Sequence, residues 1–115
     1  MTKPSDKKFK TLGDDDKIAD LIGNIGGCIA TDKITVDGLP VGYMYREEPS
    51  NDVDNGWRFF SGTEDQAYVD NPDNSCFFNT NTIANYDPAI IPYLNVPVGT
   101  HLDRNADNTF SIIEP

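Results

Sequence analysis

The segment Asp103–Glu114 is the one stretch with the ligand spacing of a metal site. Asp103, Asn105, Asp107, Ser111 and Glu114 take the first, third, fifth, ninth and twelfth places of an EF-hand calcium loop, with Asn108 where glycine is usual. Asn tolerates positive φ, so that exchange is feasible. The context points elsewhere. An EF-hand loop joins two helices, whereas Val98-Gly99-Thr100-His101-Leu102 reads as a strand, and Leu102, Phe110 and Ile112 fit a hairpin. The expectation is a hairpin around Arg104–Asn108 with no metal. Asp52-Val53-Asp54-Asn55-Gly56 holds half of the calcium pattern and reads as a solvated loop.

Catalytic chemistry has few candidates. His101 is the sole histidine and has no nucleophile at short spacing. Ser61 in Phe59-Phe60-Ser61-Gly62 lacks the first glycine of a nucleophile elbow. Cys28 and Cys76 sit in apolar settings without a basic neighbour to activate a thiolate, and read as buried, reduced thiols. Gly23-Asn24-Ile25-Gly26-Gly27 follows a helical pattern rather than a strand, the wrong context for phosphate binding. No cofactor is expected. An enzyme would have to use Arg58 with Asp87 or His101, and the reading is non-enzymatic.

Charge is more informative. The net value is −10 over 115 residues, with 19 acids against 9 Lys and Arg. Residues 1–17 hold five Lys and four Asp, so the deficit belongs to the rest of the chain, whose only cations are Lys33, Arg46, Arg58 and Arg104. Between Glu47 and Asp73 lie eight acids and a single base. Such a surface disfavours nucleic acid, which is bound through Lys and Arg. It would steer a basic protein partner. No apolar run approaches the ~20 residues of a membrane helix, and no signal-peptide pattern opens the chain, so a cytoplasmic location is expected.

These residues must be positioned by the stretch Val41–Ser61. Two aromatic-rich runs, Val41–Arg46 and Trp57–Ser61, flank ten turn-forming residues and read as antiparallel strands joined by an acidic loop. Alternation puts Val41, Tyr43 and Tyr45 on one face with Met44 opposite, and Trp57 and Phe59 on one face with Arg58 and Phe60 opposite. Large groups on both faces suggest strands covered on both sides. Around them, residues 1–13 read as a flexible Lys-containing arm and 14–115 as a single α+β domain. A helix is expected from Asp14-Asp15-Asp16 through Ile18, Leu21, Ile22 and Ile25. A short strand follows at Cys28–Thr31, and one or two helical turns over Thr63–Val69 with Thr63 as cap. Cys76–Phe78 reads as a strand, Asn79–Asn85 as an irregular connection, and Pro88–Leu94 as a helix capped by Asp87. The fold class is α+β, with a mainly antiparallel central sheet and two or three short helices.

Three stretches carry a resemblance. They are Ile25-Gly26-Gly27-Cys28-Ile29 running on to Gly38-Leu39-Pro40-Val41-Gly42-Tyr43-Met44-Tyr45-Arg46-Glu47; Asp54-Asn55-Gly56-Trp57-Arg58-Phe59-Phe60-Ser61-Gly62 with Glu64-Asp65; and Asn81-Thr82-Ile83-Ala84-Asn85-Tyr86-Asp87-Pro88 with Ile91-Pro92. From roughly Ile18 to the C-terminus the chain resembles the small bacterial proteins of domain-of-unknown-function family 2185, also grouped with the immunity proteins, of the 33-like type, of polymorphic toxin systems. The resemblance implies an α+β fold and a role in binding and neutralising a toxin, without catalytic residues or a cofactor. Joined to the charge pattern, it suggests an acidic binding protein. Glu47, Glu48, Asp52, Asp54, Glu64 and Asp65 would steer a basic partner or toxin, and Tyr45, Trp57 and Arg58 would anchor it. The alternative is a small-ligand or regulatory module lined by Tyr43, Trp57 and Tyr86. The oligomeric state is left open.

Overall fold

Hydrophobic alternation and well-placed turns yield a six-stranded sheet in the computed structural model, which describes residues 19–113. The strands are β1 (Gly27–Thr31), β2 (Tyr43–Arg46), β3 (Asp54–Phe60), β4 (Ser75–Asn79), β5 (His101–Arg104) and β6 (Phe110–Ile113). They lie in the order β4-β1-β3-β2-β5-β6. Only β1 and β3 run parallel; every other neighbouring pair is antiparallel. The α+β, mainly antiparallel expectation holds. Among the described residues the sheet is accompanied by short helical pieces: α1 (Asp32–Thr35), α2 (Gln66–Asp70), α3 (Thr80–Tyr86) and a 3-10 helix over Pro88–Tyr93, with a further 3-10 turn at Pro72–Asn74.

One side of the sheet makes the core. Cys28, Ala30, Met44, Trp57, Phe59, Leu102 and Phe110 pack there against Ile34 of α1, Ile83 and Ala84 of α3, and Ile90 and Leu94 around the 3-10 helix. Trp57 and Phe59 stack with centroids 5.7 Å apart, and the Trp57 indole N–H donates to the Leu94 carbonyl at 3.2 Å. Val41 belongs to this core as well. It lies just before β2, its N–H donating to Asp87 Oδ2, so it does not share the face of Tyr43 and Tyr45.

The second face carries Ile29, Tyr43, Tyr45, Arg58, Phe60 and His101, as the cross-strand pairs Ile29↔Arg58, Tyr45↔Arg58, Tyr43↔Phe60 and Tyr45↔His101 require. Among the described residues only α2 and the turn after it lean over one end of it. The expectation of strands covered on both sides is therefore corrected: Tyr43, Tyr45, Phe60 and His101 stay half-buried.

Local expectations fail where tertiary partners override propensity. β3 starts at Asp54, so residues 54–56 of the expected loop are strand. Asp and Asn disfavour strands, but here both side chains are hydrogen-bonded: Asn55 donates to Thr80 Oγ1 and accepts from the Trp57 N–H. Gly56, at φ +91°, sits where a Cβ would run into the Glu47 carbonyl.

The helix expected to start at Asp14 does not continue through Ala19–Ile25; residues 14–18 lie outside the described residues. Leu21 and Ile25 are exposed. Backbone groups of Ala19 and Leu21 are met by the side chains of Asn81 and Asn85 instead of by a helical turn. Gly23, Gly26 and Gly27 also disfavour helix. Those two Asn belong to α3, where an irregular connection was expected. Asn79 caps α3 by accepting from the Asn81 N–H, and Ile83 and Ala84 anchor it in the core. α2 is capped by Asp65, not Thr63. The expected cap of Asp87 on the Pro88 helix is present. The expected hairpin is present too, with Asn108 at φ +70° in its turn. Its Asp107 accepts from Thr109 and its Asn105 bonds Thr109 and Ser111, so the calcium-like positions close a turn; Glu114 lies outside the described residues. No cluster of potential metal ligands occurs among the described residues.

Candidate functional site

The open face of β1, β3, β2 and β5 gathers the half-buried aromatic residues of the sheet. Its aromatic patch is continuous. Tyr45 lies 5.7 Å from Phe60 and 5.1 Å from His101, centroid to centroid, nearly parallel to both, and Tyr43 lies 5.7 Å from Phe60. The Tyr43 hydroxyl and His101 Nδ1 are 2.7 Å apart, which holds the patch in one arrangement.

Arg58 crosses the middle of this face. Its guanidinium grips Asp54 through two nitrogens at 2.9 and 2.8 Å, meets Glu47 through Nε at 2.5 Å and donates to the Trp57 carbonyl. Arg58 and Asp54 are buried, while the Glu47 side chain is 48% exposed. A bidentate pair in a low-dielectric setting favours both charged forms strongly. Accordingly the Asp54 carboxyl is held far below its ordinary range, chiefly by Arg58, and Arg58 is raised, chiefly by Asp54.

A cleft of about 190 Å³ opens between this face and α2, bounded by Ile29, Tyr45, Arg58, Phe60, Tyr68 and Val69, with Glu47 at its lip. A shallower depression continues from it past Tyr43, Glu64 and Asp103. α2 buries none of its own residues. It is held by its approach: the Glu64 carboxylate accepts from the Ser61 and Gly62 N–H groups and from Thr31 Oγ1. Burial would raise the Glu64 carboxyl, but these hydrogen bonds outweigh it and its pKa is lowered. Lys33 reaches across to Thr63 and lies 5.1 Å from the centre of the Tyr68 ring.

Carboxylates lie near the phenols of this region. Burial is the first cause that raises the phenols of Tyr45, Tyr43 and Tyr68, and nearby carboxylates add to each: Glu47 at Tyr45, Asp103 at Tyr43, and Asp32, Asp37 and Glu64 at Tyr68.

The candidate residues named from sequence divide accordingly. Tyr45, Glu47 and Arg58 come together at the cleft, with Asp54 beneath them as Arg58's partner, and Glu64 lines the adjoining depression. Asp65 is the exposed cap of α2. Glu48 and Asp52 are exposed in the β2–β3 loop. Trp57 is fully buried on the opposite side of the sheet and reaches no surface. The alternative set of Tyr43, Trp57 and Tyr86 lines no common pocket, because Tyr43 and Trp57 occupy opposite faces while Tyr86 packs against the core. Arg58, Asp87 and His101 hold separate partners: Asp87 pairs with Arg104, and His101 with Tyr43. Cys28 is buried, and burial pushes its thiol up to about 12; Cys76 is half-buried. Phe60 and Tyr68 line the cleft as well, though the sequence did not single them out. Phe60 was legible from its alternation with Arg58, whereas nothing local marks Tyr68.

No described helix is long and apolar enough to cross a membrane. No curated protein and no solved structure matches the chain. A family model described as "Immunity protein Imm33 domain" matches residues 28–114, starting inside β1 rather than near Ile18. The matched span contains every strand from that point on, the Arg58 cluster and the aromatic face, and on that match the chain belongs to the Imm33 immunity protein domain family.

Proposed function

We propose that this protein is a non-enzymatic immunity protein that binds and neutralises a toxin, and that the open aromatic face of its sheet is the docking surface for a basic region of that toxin. The carrying observation is the convergence of Glu47, Glu64 and Asp103 around the half-buried Tyr43, Tyr45 and Phe60, on a sheet face that no other described element fully covers. Aromatic rings give contact area at low entropic cost, and a ring of carboxylates selects a cationic partner. The same field repels phosphate backbones.

The test is protection of cells expressing candidate toxins, beginning with any toxin domain encoded in a neighbouring gene. Wild-type protein should rescue growth and co-purify with the toxin. Asp103→Lys, on the open face, should weaken binding at least tenfold, on the scale expected when like charges are placed opposite one another. Asp20→Lys, the same charge change on the segment bound to α3, should leave binding intact. Equal loss or equal retention by the two variants overturns the docking surface, and absence of protection by wild type overturns the immunity role.

A further inference from the structure

We propose that the cleft between α2 and the open sheet face receives a single arginine side chain from the protein partner. The inference rests on the toxin-binding reading for the identity of that partner, and on the cleft alone for its chemistry.

Size comes first. The more enclosed part, at about 190 Å³, is smaller than the ~300–1,000 Å³ of typical ligand pockets and suits one long side chain, while the open depression beside it leaves room for the chain that carries it. Its walls come next. Tyr45, Phe60 and Tyr68 present aromatic surface, and Ile29 and Val69 present aliphatic surface, so the entering group must be flat or have an apolar stem. Charge decides the head group. The cleft itself is lined by one guanidinium, Arg58, and one carboxylate, Glu47, but Asp54 lies beneath as the partner of Arg58, and Glu64 and Asp103 line the adjoining depression. These four carboxylates outnumber the two nearby cations, Arg58 and Lys33. Asp54 is spent on Arg58, whereas the Glu47 side chain is 48% exposed at the lip and is held in place through Arg58 Nε.

Arginine fits this set better than lysine. Its guanidinium is planar, weakly hydrated, stacks on rings and pairs with carboxylates in a fork. The protein already uses that contact elsewhere, with the Arg104 guanidinium 5.5 Å from the Phe110 ring and Arg46 5.9 Å from Trp57.

The test is an amide-resolved NMR titration of the full chain with Nα-acetyl-arginine amide, alongside the neutral citrulline analogue and Nα-acetyl-lysine amide. The arginine probe should bind with about millimolar affinity, as expected for so small a ligand. Its shifts should centre on Ile29, Tyr45, Phe60, Tyr68 and Val69. Citrulline and lysine probes should bind at least about fivefold more weakly, the scale of one exposed cation–π or ion-pair contact. Glu47→Gln should produce a similar loss. Tyr68→Ala, in a helix that buries nothing, supplies an independent variant whose fold is not at stake. Shifts centred elsewhere, equal binding of citrulline or lysine, or undiminished binding in the variants would overturn the proposal. If Glu47→Gln and Tyr68→Ala still protect against the toxin as well as wild type, the cleft fails and the immunity role stands. If arginine binds the cleft but wild type gives no protection, the reverse holds.

Discussion

Arg58 carries a charge into an otherwise buried strand, which costs free energy unless its carboxylate partners remain ionised. Asp54 supplies most of that compensation, and its folded-state pKa is depressed below the ordinary value of about 3.9. As pH falls the unfolded chain therefore takes up this proton first. The contribution of Asp54 to stability is complete above about pH 4 and is lost progressively as pH drops through the folded value. Asp54→Asn should lower stability by about 3–5 kcal/mol near neutral pH, because it removes the buried carboxylate and leaves the buried guanidinium only the half-exposed Glu47 as an ionic partner. The gap between variant and wild type should narrow below about pH 4. Urea unfolding from acid to neutral pH checks both, and a gap that stays constant across that range contradicts the linkage. The spacing of Asp54 and Arg58 was on view in the sequence, but Asp54 read as loop because Asp, Asn and Gly are turn formers. Their burial in β3 depends on partners farther away, Thr80 for Asn55, Ser50 for Asp54 and the Glu47 N–H for the Gly56 carbonyl, which a short window does not show.

Elements of this fold differ sharply in what holds them. β3 is central, its residues buried from Asp54 to Phe59, and Trp57 fills the space beneath α3 and the 3-10 helix. α2 buries no residue and depends on the Asp65 cap and the Glu64 clamp. Trp57→Ala should therefore cost about 3–5 kcal/mol, the usual loss for a large buried ring. Asp65→Ala should cost only about 1 kcal/mol, the worth of a cap. Denaturant midpoints of the two variants measure the contrast, and comparable losses would mean that α2 belongs to the cooperative core. The strands and the final hairpin were legible because aromatic alternation and Asn-rich turns are local signals. α3 was not. Its sequence Thr-Asn-Thr-Ile-Ala-Asn-Tyr is poor in helix formers, and it is secured by the Asn79 cap and by burying Ile83 and Ala84.

The whole molecule is an anion with one aromatic face turned outward. Its net charge of −10 should act on encounter more than on residence. Raising salt from about 50 to about 500 mM shrinks the screening length from above 10 Å to below 5 Å. The association rate with a basic toxin should then fall at least about tenfold, with dissociation changed much less. Stopped-flow binding separates the two, and an association rate indifferent to salt would remove charge steering from the account. By itself the sequence determined the class of fold, the main strands, the acidity and the family likeness, since these follow from composition, local periodicity and short motifs. Only the tertiary structure decided that Trp57 faces inward and Tyr45 outward. Alternation along a strand sorts side chains into two sets, but which set meets water depends on where α1, α3 and the 3-10 helix pack, and that is settled by contacts between residues far apart in the chain.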